Sequence, residues 1–385
     1  MPQFDFHLPS LGADMESATL TQWLKKPGDY VHRGEAIAVV ETQKGLIDIE
    51  CFENAVVTEL MVQPGTHVPV GAVLARLTGE AVTVAVPPAP AAVAAPEPVP
   101  TRPPAPKPLP SSRPHISPAA RRRAAELGAN LETLAARSNA AVLHVQDVER
   151  LAAESRAPQA PAIDAKTAMR IAIGQAMARS KREIPHYYLE QSFDMSAAQA
   201  WMADYNANRP VAERLIEGVL IVKAVALAAA HSAEFNGYFR GGRFEPSASV
   251  HVGTAIAVRG GGLVAPALLD ADHKDLKTLM REFSDLVSRV RTGHMRSSEF
   301  ASATITVTSL GEEGADCLYP IINPPQVAIV GAGRTALRPW EHERAVVVRP
   351  VITLTLAADH RVTDGRSGSR FLKRIGELLA APERL

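Results

Sequence analysis

Twelve of the 30 prolines in this chain fall between Pro87 and Pro114, interleaved with alanine and valine and with no aromatic residue among them. A run of that composition cannot bury a core, and its prolines donate nothing to a backbone ladder. Residues 81–114 are therefore expected to form an extended, semi-rigid linker. At about 3.1 Å per residue, some thirty such residues would reach roughly 90 Å. The run divides the 385 residues into separate pieces, which excludes a single compact domain. A second, shorter break at 154–165 (Glu154-Ser155-Arg156-Ala157-Pro158 onward) leaves a small segment at 115–153 and a large piece at 166–385.

The first piece, 1–80, repeats itself. Pro27-Gly28-Asp29-Tyr30-Val31 returns as Pro64-Gly65-Thr66-His67-Val68, and each copy has a second glycine, Gly34 and Gly71, before an apolar run. A Pro-Gly turn before a short strand, given twice, predicts a quasi-symmetric all-β sandwich or flattened barrel. Midway between the copies, Ile37–Val40 and Leu46–Glu50 read as strands, so Lys44-Gly45 falls at a hairpin tip. A lone lysine at a turn is usually a solvated charge. One at the tip of a symmetric β unit, with a long linker behind it, also suits a side chain that carries a group between distant sites.

The middle segment is expected to be helical. Ser117-Pro118 fits an N-cap with proline at the first helical position, Gly128 fits a stop, and a second short helix is expected over 145–153. The large piece mixes elements. Lys166–Lys181 has Met169, Ile173, Ala176 and Met177 at helical spacing, and Leu215–Ala230 is a nearly all-apolar helix that must be buried. Thr304–Thr308 alternates as a strand, Val327–Val330 and Val346–Leu356 read as inner strands, and a last helix begins near Gly365.

Composition narrows the function. Lys+Arg 41 balance Asp+Glu 41, so no global positive field favours nucleic acid or an anionic membrane. The most apolar stretch is short and contains Lys223, which excludes a bilayer span. Cys51 and Cys317 have no nearby partner, which points away from a disulfide framework or a cysteine metal site and toward a reducing compartment. With no targeting segment at the start, a cytoplasmic location is expected, and no metal.

Two motifs carry a family resemblance. Residues 1–80 resemble a lipoyl domain: its Glu-Thr-Asp-Lys-Ala signature stands here as Glu41-Thr42-Gln43-Lys44-Gly45, and Leu8–Met15 matches its opening strand and turn. The heptad Asp359-His360-Arg361-Val362-Thr363-Asp364-Gly365 resembles the Asp-His-Arg-x-x-Asp-Gly motif of dihydrolipoamide acyltransferases, the E2 components of 2-oxo acid dehydrogenase complexes. Met169-Arg170 through Met177, Ser180-Lys181, Ile184-Pro185-His186-Tyr187, Ala303–Gly311 and Ile322–Gln326 match further motifs of that family. Residues 115–128 are similar to the first helix of its peripheral-subunit-binding domain, although Ala135–Val142 replaces the Gly-rich loop the family has there.

The resemblance implies a two-layer α/β catalytic domain of the chloramphenicol-acetyltransferase type at 166–385 and lipoate in amide linkage on Lys44. It implies transfer of an acyl group, acetyl by preference, from dihydrolipoyl thiol to coenzyme A. It also implies partnership with a thiamine-diphosphate-dependent E1 and a dihydrolipoamide dehydrogenase E3. In that scheme His360 is the general base on the coenzyme A thiol, a task suited to imidazole. Thr308 holds the oxyanion, and Asp364 organises the site and pairs with Arg170. Strand alternation sets Thr306 and Thr308 on one face and Ser309, the other candidate hydroxyl, on the opposite one. The family further implies trimers whose active sites are shared between neighbours, and the apolar helix at 215–230 is expected to need such cover. The alternative is a non-catalytic structural homologue that only tethers E1 and E3; such proteins typically lose the histidine, and His360 is present. Pyruvate and acetoin complexes both fit the single short lipoyl unit.

Overall fold

The computed structural model describes residues 3–9, 15, 17–42, 45–79, 115–127, 142–156, 165–258, 262–311 and 314–385. The 81–114 linker, the Leu11–Asp14 turn, Lys44 and the stretch 128–141 lie outside the described residues. The chain forms two compact units, one made of the N-terminal and C-terminal pieces together and one of the middle segment. Among the described residues no helix is long and apolar enough to cross a membrane.

The N-terminal piece is all β: β1 (Gln3–His7), β2 (Ser17–Trp23), β3 (Tyr30–Val31), β4 (Glu35–Thr42), β5 (Gly45–Cys51), β6 (Ala55–Leu60), β7 (His67–Pro69) and β8 (Val73–Gly79). One sheet runs β1-β8-β6-β3 and the other carries β5-β4-β2-β7. The predicted repeat is visible in the backbone: Gly28 and Gly65 take φ of +96° and +88° after their prolines, and Gly34 and Gly71 take +82° and +85°. Side chains with a β-carbon rarely adopt such angles, so glycine is required at these turns. Alternation sends Leu20, Val40, Ile47 and Ile49 into a shared core.

In the middle unit, α1 (Pro118–Glu126) and α2 (Val145–Arg156) follow β9 (His115–Ile116) and β10 (Val142–Leu143), which pair in parallel. The Ser117 hydroxyl accepts the Ala120 amide at 3.2 Å, the expected N-cap.

The C-terminal piece comprises α3 (Ala165–Glu183), β11 (His186–Asp194), α4 (Ser196–Asn206), α5 (Glu217–His231), β12 (Gly237–Arg240), β13 (Arg243–Pro246), β14 (Val252–Thr254), β15 (Ile256–Ala257), β16 (Leu263–Val264) and β17 (Ala267–Leu268). It continues through α6 (Leu276–Thr292), β18 (His294–Arg296), α7 (Ser297–Ala301), β19 (Ile305–Ser309), β20 (Ala328–Ala332), β21 (Ala336–His342), β22 (Ala345–Asp359) and α8 (Gly365–Ala380). Its main sheet runs β11-β22-β20-β19-β14-β17, with β21 also on β22. Helices α5, α6 and α8 pack on one face of it, giving the two-layer α/β arrangement expected.

Helix α5 is buried along most of its length, and its cover comes from within the chain, from the sheet, α6 and α8. The expectation that it needs a neighbouring subunit is thereby corrected. Apolar exposure lies elsewhere, on the β21–β22 hairpin, where Leu337, Val346 and Val348 are 74, 77 and 67 % exposed. Lys223 sits inside α5 because its ammonium donates to the carbonyls of Ala271, Asp272 and Lys274, at 3.3, 2.8 and 2.6 Å. Burial pushes its pKa down.

Two helical glycines predict opposite outcomes. A β-carbon on Gly376 of α8 would lie 2.0 Å from Phe193 Cε1, whereas one on exposed Gly174 of α3 meets nothing within 4 Å. Gly376→Ala should destabilise by about 1–3 kcal/mol through overpacking. Gly174→Ala should stabilise by about 0.5–1 kcal/mol through reduced backbone entropy. Urea midpoints of the two variants would check the signs.

Candidate active site

Strand β22 ends at Asp359, and the backbone then folds back on itself. The Asp359 amide donates to Val327, while its carbonyl accepts the amides of Val362 and Thr363, both at 3.0 Å. The His360 amide donates to Pro185 at 3.0 Å, stitching this turn to the start of β11. The Asp359 carboxylate is completely buried and is gripped by its neighbour. Arg361 donates its backbone amide at 2.9 Å, Nε at 2.9 and 3.1 Å, and a terminal nitrogen at 2.6 Å. The guanidinium lies 3.8 Å from the centroid of the Phe239 ring. The turn is thus fixed from both sides, and it leaves the His360 side chain exposed.

The His360 ring meets Tyr187 edge-on, with centroids 5.2 Å apart. Tyr187 is itself held by a 2.9 Å hydrogen bond between its hydroxyl and that of Thr363. Asp364 caps α8: its carboxylate accepts the Ser367 amide at 2.8 Å and the Ser367 hydroxyl at 2.9 Å. Those bonds, the amide first, hold its pKa below the usual carboxylate range.

Thr308 lies on β19. Its neighbours on that strand divide by face: Ile305 and Val307 enter the helix-side core, while Thr306 turns the other way and donates to Gln326 Oε1 at 2.7 Å. Thr308 shares the Thr306 face, and among the described residues its hydroxyl has no protein partner. Ser309 turns to the opposite face, where its hydroxyl accepts the Gly311 amide at 3.1 Å and so shapes the following turn.

Thr308 and His360 do not meet within one chain. Thr308 pairs with Gly331, and Gly331 pairs with Thr355, five residues before His360. At about 3.3 Å per residue and 4.8 Å per strand, they stand roughly 17 Å apart along the strands and 10 Å across them. Asp364 and Arg170 also stay apart. Arg170 is exposed on α3, and the Asp364 carboxylate is engaged by α8 itself. Lys44 lies outside the described residues, but its flanks are informative. Thr42 pairs with Gly45, the Thr42 hydroxyl donates to the Gly45 carbonyl at 3.1 Å, and Gly45 has φ of +116°. Those flanks are the last antiparallel pair of β4 and β5.

The 2-oxoacid dehydrogenase acyltransferase catalytic-domain model matches residues 161–385, more than half of the chain. The chain belongs to that family. The acyltransferase resemblance is therefore borne out. A second model, described as biotin-requiring enzyme, matches residues 5–77 of this acyltransferase family member.

Curated relatives extend the likeness over nearly the whole length. The pyruvate dehydrogenase complex acetyltransferase component of Zymomonas mobilis is 26 % identical, with 97 % of each chain covered. Its Staphylococcus aureus counterpart is 27 % identical, with 99 % of each covered. Among solved structures, a probable dihydrolipoamide acetyltransferase from Listeria monocytogenes matches with a TM-score of 0.51 at 30 % identity, over 55 % of this chain and 90 % of that one. An Azotobacter vinelandii dihydrolipoamide acetyltransferase matches with a TM-score of 0.52 at 30 % identity, over 55 and 88 %.

Several residues that shape this family member's site carry no separate signal in the sequence. Asp359, Tyr187 and Gln326 all stand inside the quoted motifs. Their roles depend on which partner the fold brings to each, and Phe239 beneath Arg361 has no local signal at all.

The Asp359–Arg361 pair yields a stability test. Arg361→Met strands a fully buried carboxylate and should destabilise by about 3–5 kcal/mol. Lys373→Met, which breaks an exposed pair with Glu377, should cost about 0–1 kcal/mol. Equal losses in urea denaturation would contradict the anchoring assigned to Asp359.

Proposed function

We propose that this chain is a dihydrolipoamide acyltransferase of a 2-oxo acid dehydrogenase complex, of the pyruvate type, moving an acetyl group from lipoyl-Lys44 to coenzyme A. In this reading residues 1–80 are the lipoyl domain, 115–153 a subunit-binding segment and 166–385 the catalytic domain, joined by linkers at 81–114 and 154–165. The observation that carries it is the exposed imidazole of His360 on a turn held by the buried Asp359, in a chain whose C-terminal 225 residues match the acyltransferase model. Lipoate, once attached, supplies the thiol that carries the acyl group. The lysine flanks described above suit that attachment.

The chain's own residues divide the remaining work. His360 takes the proton from the coenzyme A thiol, because the thiolate is the nucleophile, and returns it to the donor sulfur that leaves as the original thioester bond breaks. As the carbonyl carbon becomes tetrahedral, its oxygen gains negative charge and needs a donor already aimed at it. The Thr308 hydroxyl is suited to this; that of Thr306 spends its proton on Gln326, and that of Ser309 lies on the opposite face of the strand. Asp364 fixes the start of α8 behind the histidine, and Arg170 remains a candidate contact across subunits.

The distance between Thr308 and His360 in one chain supports a site completed by a neighbouring copy. Trimers sharing their active sites would join the two halves, with the exposed apolar hairpin at Leu337, Val346 and Val348 as buriable surface. E1 and E3 enzymes are the proposed partners, and the cytoplasm the proposed location.

Acetyl transfer from acetyl-coenzyme A to free dihydrolipoamide tests this reading. His360→Ala should lose about 10²–10⁴-fold in kcat with little change in KM. Thr308→Val should lose about 10²–10³-fold, and Ser309→Ala much less. Intact mass of chain made with a lipoylating system should rise by one lipoyl group, and Lys44→Arg should abolish the rise. Near-normal activity of His360→Ala would overturn the mechanism.

A further inference from the structure

The five-stranded sheet of the N-terminal piece contains a strand that does not belong to it. Strand β18 of the catalytic piece adds in parallel to the edge strand β5, with His294, Met295 and Arg296 paired to Leu46, Ile47 and Asp48. An open edge strand is a template for pairing, and addition of a partner strand is a recurrent recognition mode.

Side chains back the pairing in three ways. Alternation along β5 sends Ile47, Ile49 and Cys51 into the lipoyl-domain core, so Glu50 projects from the outer face. Glu50 is nevertheless only 8 % exposed, because the catalytic piece covers it. Its carboxylate accepts the Ser298 amide at 3.1 Å and the Ser297 hydroxyl at 3.4 Å, while its own amide donates to Ser297 Oγ at 3.2 Å. Phe300 packs against the cores of both pieces. Asp48, on the same outer face, is also shielded there: burial raises its pKa, although His294, Arg296 and Arg289 of the catalytic piece pull it down. A buried carboxylate is tolerated only where donors meet it, so this contact is chemically specific.

We propose that β18 and the first residues of α7 form a docking station for the lipoyl domain of the same chain, seated by strand addition along β5 and locked by Glu50. Its purpose rests on the acyltransferase reading above. The docked hairpin holds Gly45 against the catalytic piece, where a β-carbon on Gly45 would stand 3.3 Å from Met295 Cε. Three residue pairs and one carboxylate make a small contact, suited to a carrier that must leave for other enzymes. Because both surfaces belong to one chain, docking is intramolecular and a weak contact is still populated.

The station is tested by cross-linking in the full chain. Register-paired positions in neighbouring strands lie within disulfide reach, whereas a pair offset by two residues does not. Leu46→Cys with His294→Cys should close a disulfide within one chain under mild oxidation, seen as a reducible mobility shift on gels. Leu46→Cys with Arg296→Cys should close about tenfold more slowly or worse. Adding Glu50→Arg to the first pair should slow closure about tenfold or more, since it removes the charged acceptor. The first comparison keeps Glu50, so it stands even if that variant misfolds. Equal rates for the two cysteine pairs, or cross-links between chains, would overturn the proposal. Glu50→Arg should leave acetyl transfer to free dihydrolipoamide unchanged. Absence of that transfer in the unaltered chain would refute the acyltransferase reading alone, since the cross-linking rates do not depend on catalysis.

Discussion

The catalytic piece depends on the register of one strand. Strand β22 pairs with β11 along one edge and with β20 and β21 along the other, and its inner half is buried without interruption from Val351 to Asp359. Its side chains on one face, Ile352, Leu354, Leu356 and Ala358, form the floor on which α5 and α8 pack. A slip of one residue would turn that floor outward and bring Thr353 and Thr355 into the helical core. The same register delivers Asp359 to a dry position at the strand end, where Arg361 meets its charge. The rigidity of the His360 turn follows from that burial, since an unpaired carboxylate there would be far more costly than a distorted backbone.

The register that builds the histidine turn also separates it from Thr308. Strands β19 and β20 run parallel while β22 runs against them, so Thr308 ends up level with the middle of β22 and far from the turn at its end. No side-chain rotation bridges such a gap. The chemistry proposed for the two residues would therefore draw them from two copies of the chain. Intrachain packing already covers the apolar helix that suggests association in the sequence, which leaves the β21–β22 hairpin and the split site as the grounds for it.

Much of this was legible in the residues. The Pro-Gly repeat announces its turns because only glycine accepts those backbone angles, and the Ser117 cap lies beside the helix it starts. Strand parity by itself separates Thr308 from Ser309. Tertiary consequences were not legible. Lys223 reads as a charge that interrupts an apolar helix, yet it ties down the carbonyls of a loop some fifty positions away. Glu50 reads as an ordinary exposed strand residue, because nothing near it in sequence announces Ser297. Arg170 and Asp364 sit within family motifs, and a motif does not specify which side chains meet inside one chain.

The central claim is that the site is divided between neighbouring copies, and complementation tests it most directly. His360→Ala and Thr308→Val chains, each nearly inactive alone, are unfolded together in equal amounts, refolded and assayed for acetyl transfer to dihydrolipoamide. If neighbouring copies share sites in closed rings, random mixing gives about one quarter of all sites an intact histidine and an intact threonine. Activity should then recover to about that fraction of the unaltered enzyme. A mixture no more active than the separate variants would contradict a divided site and place both residues' work within one chain.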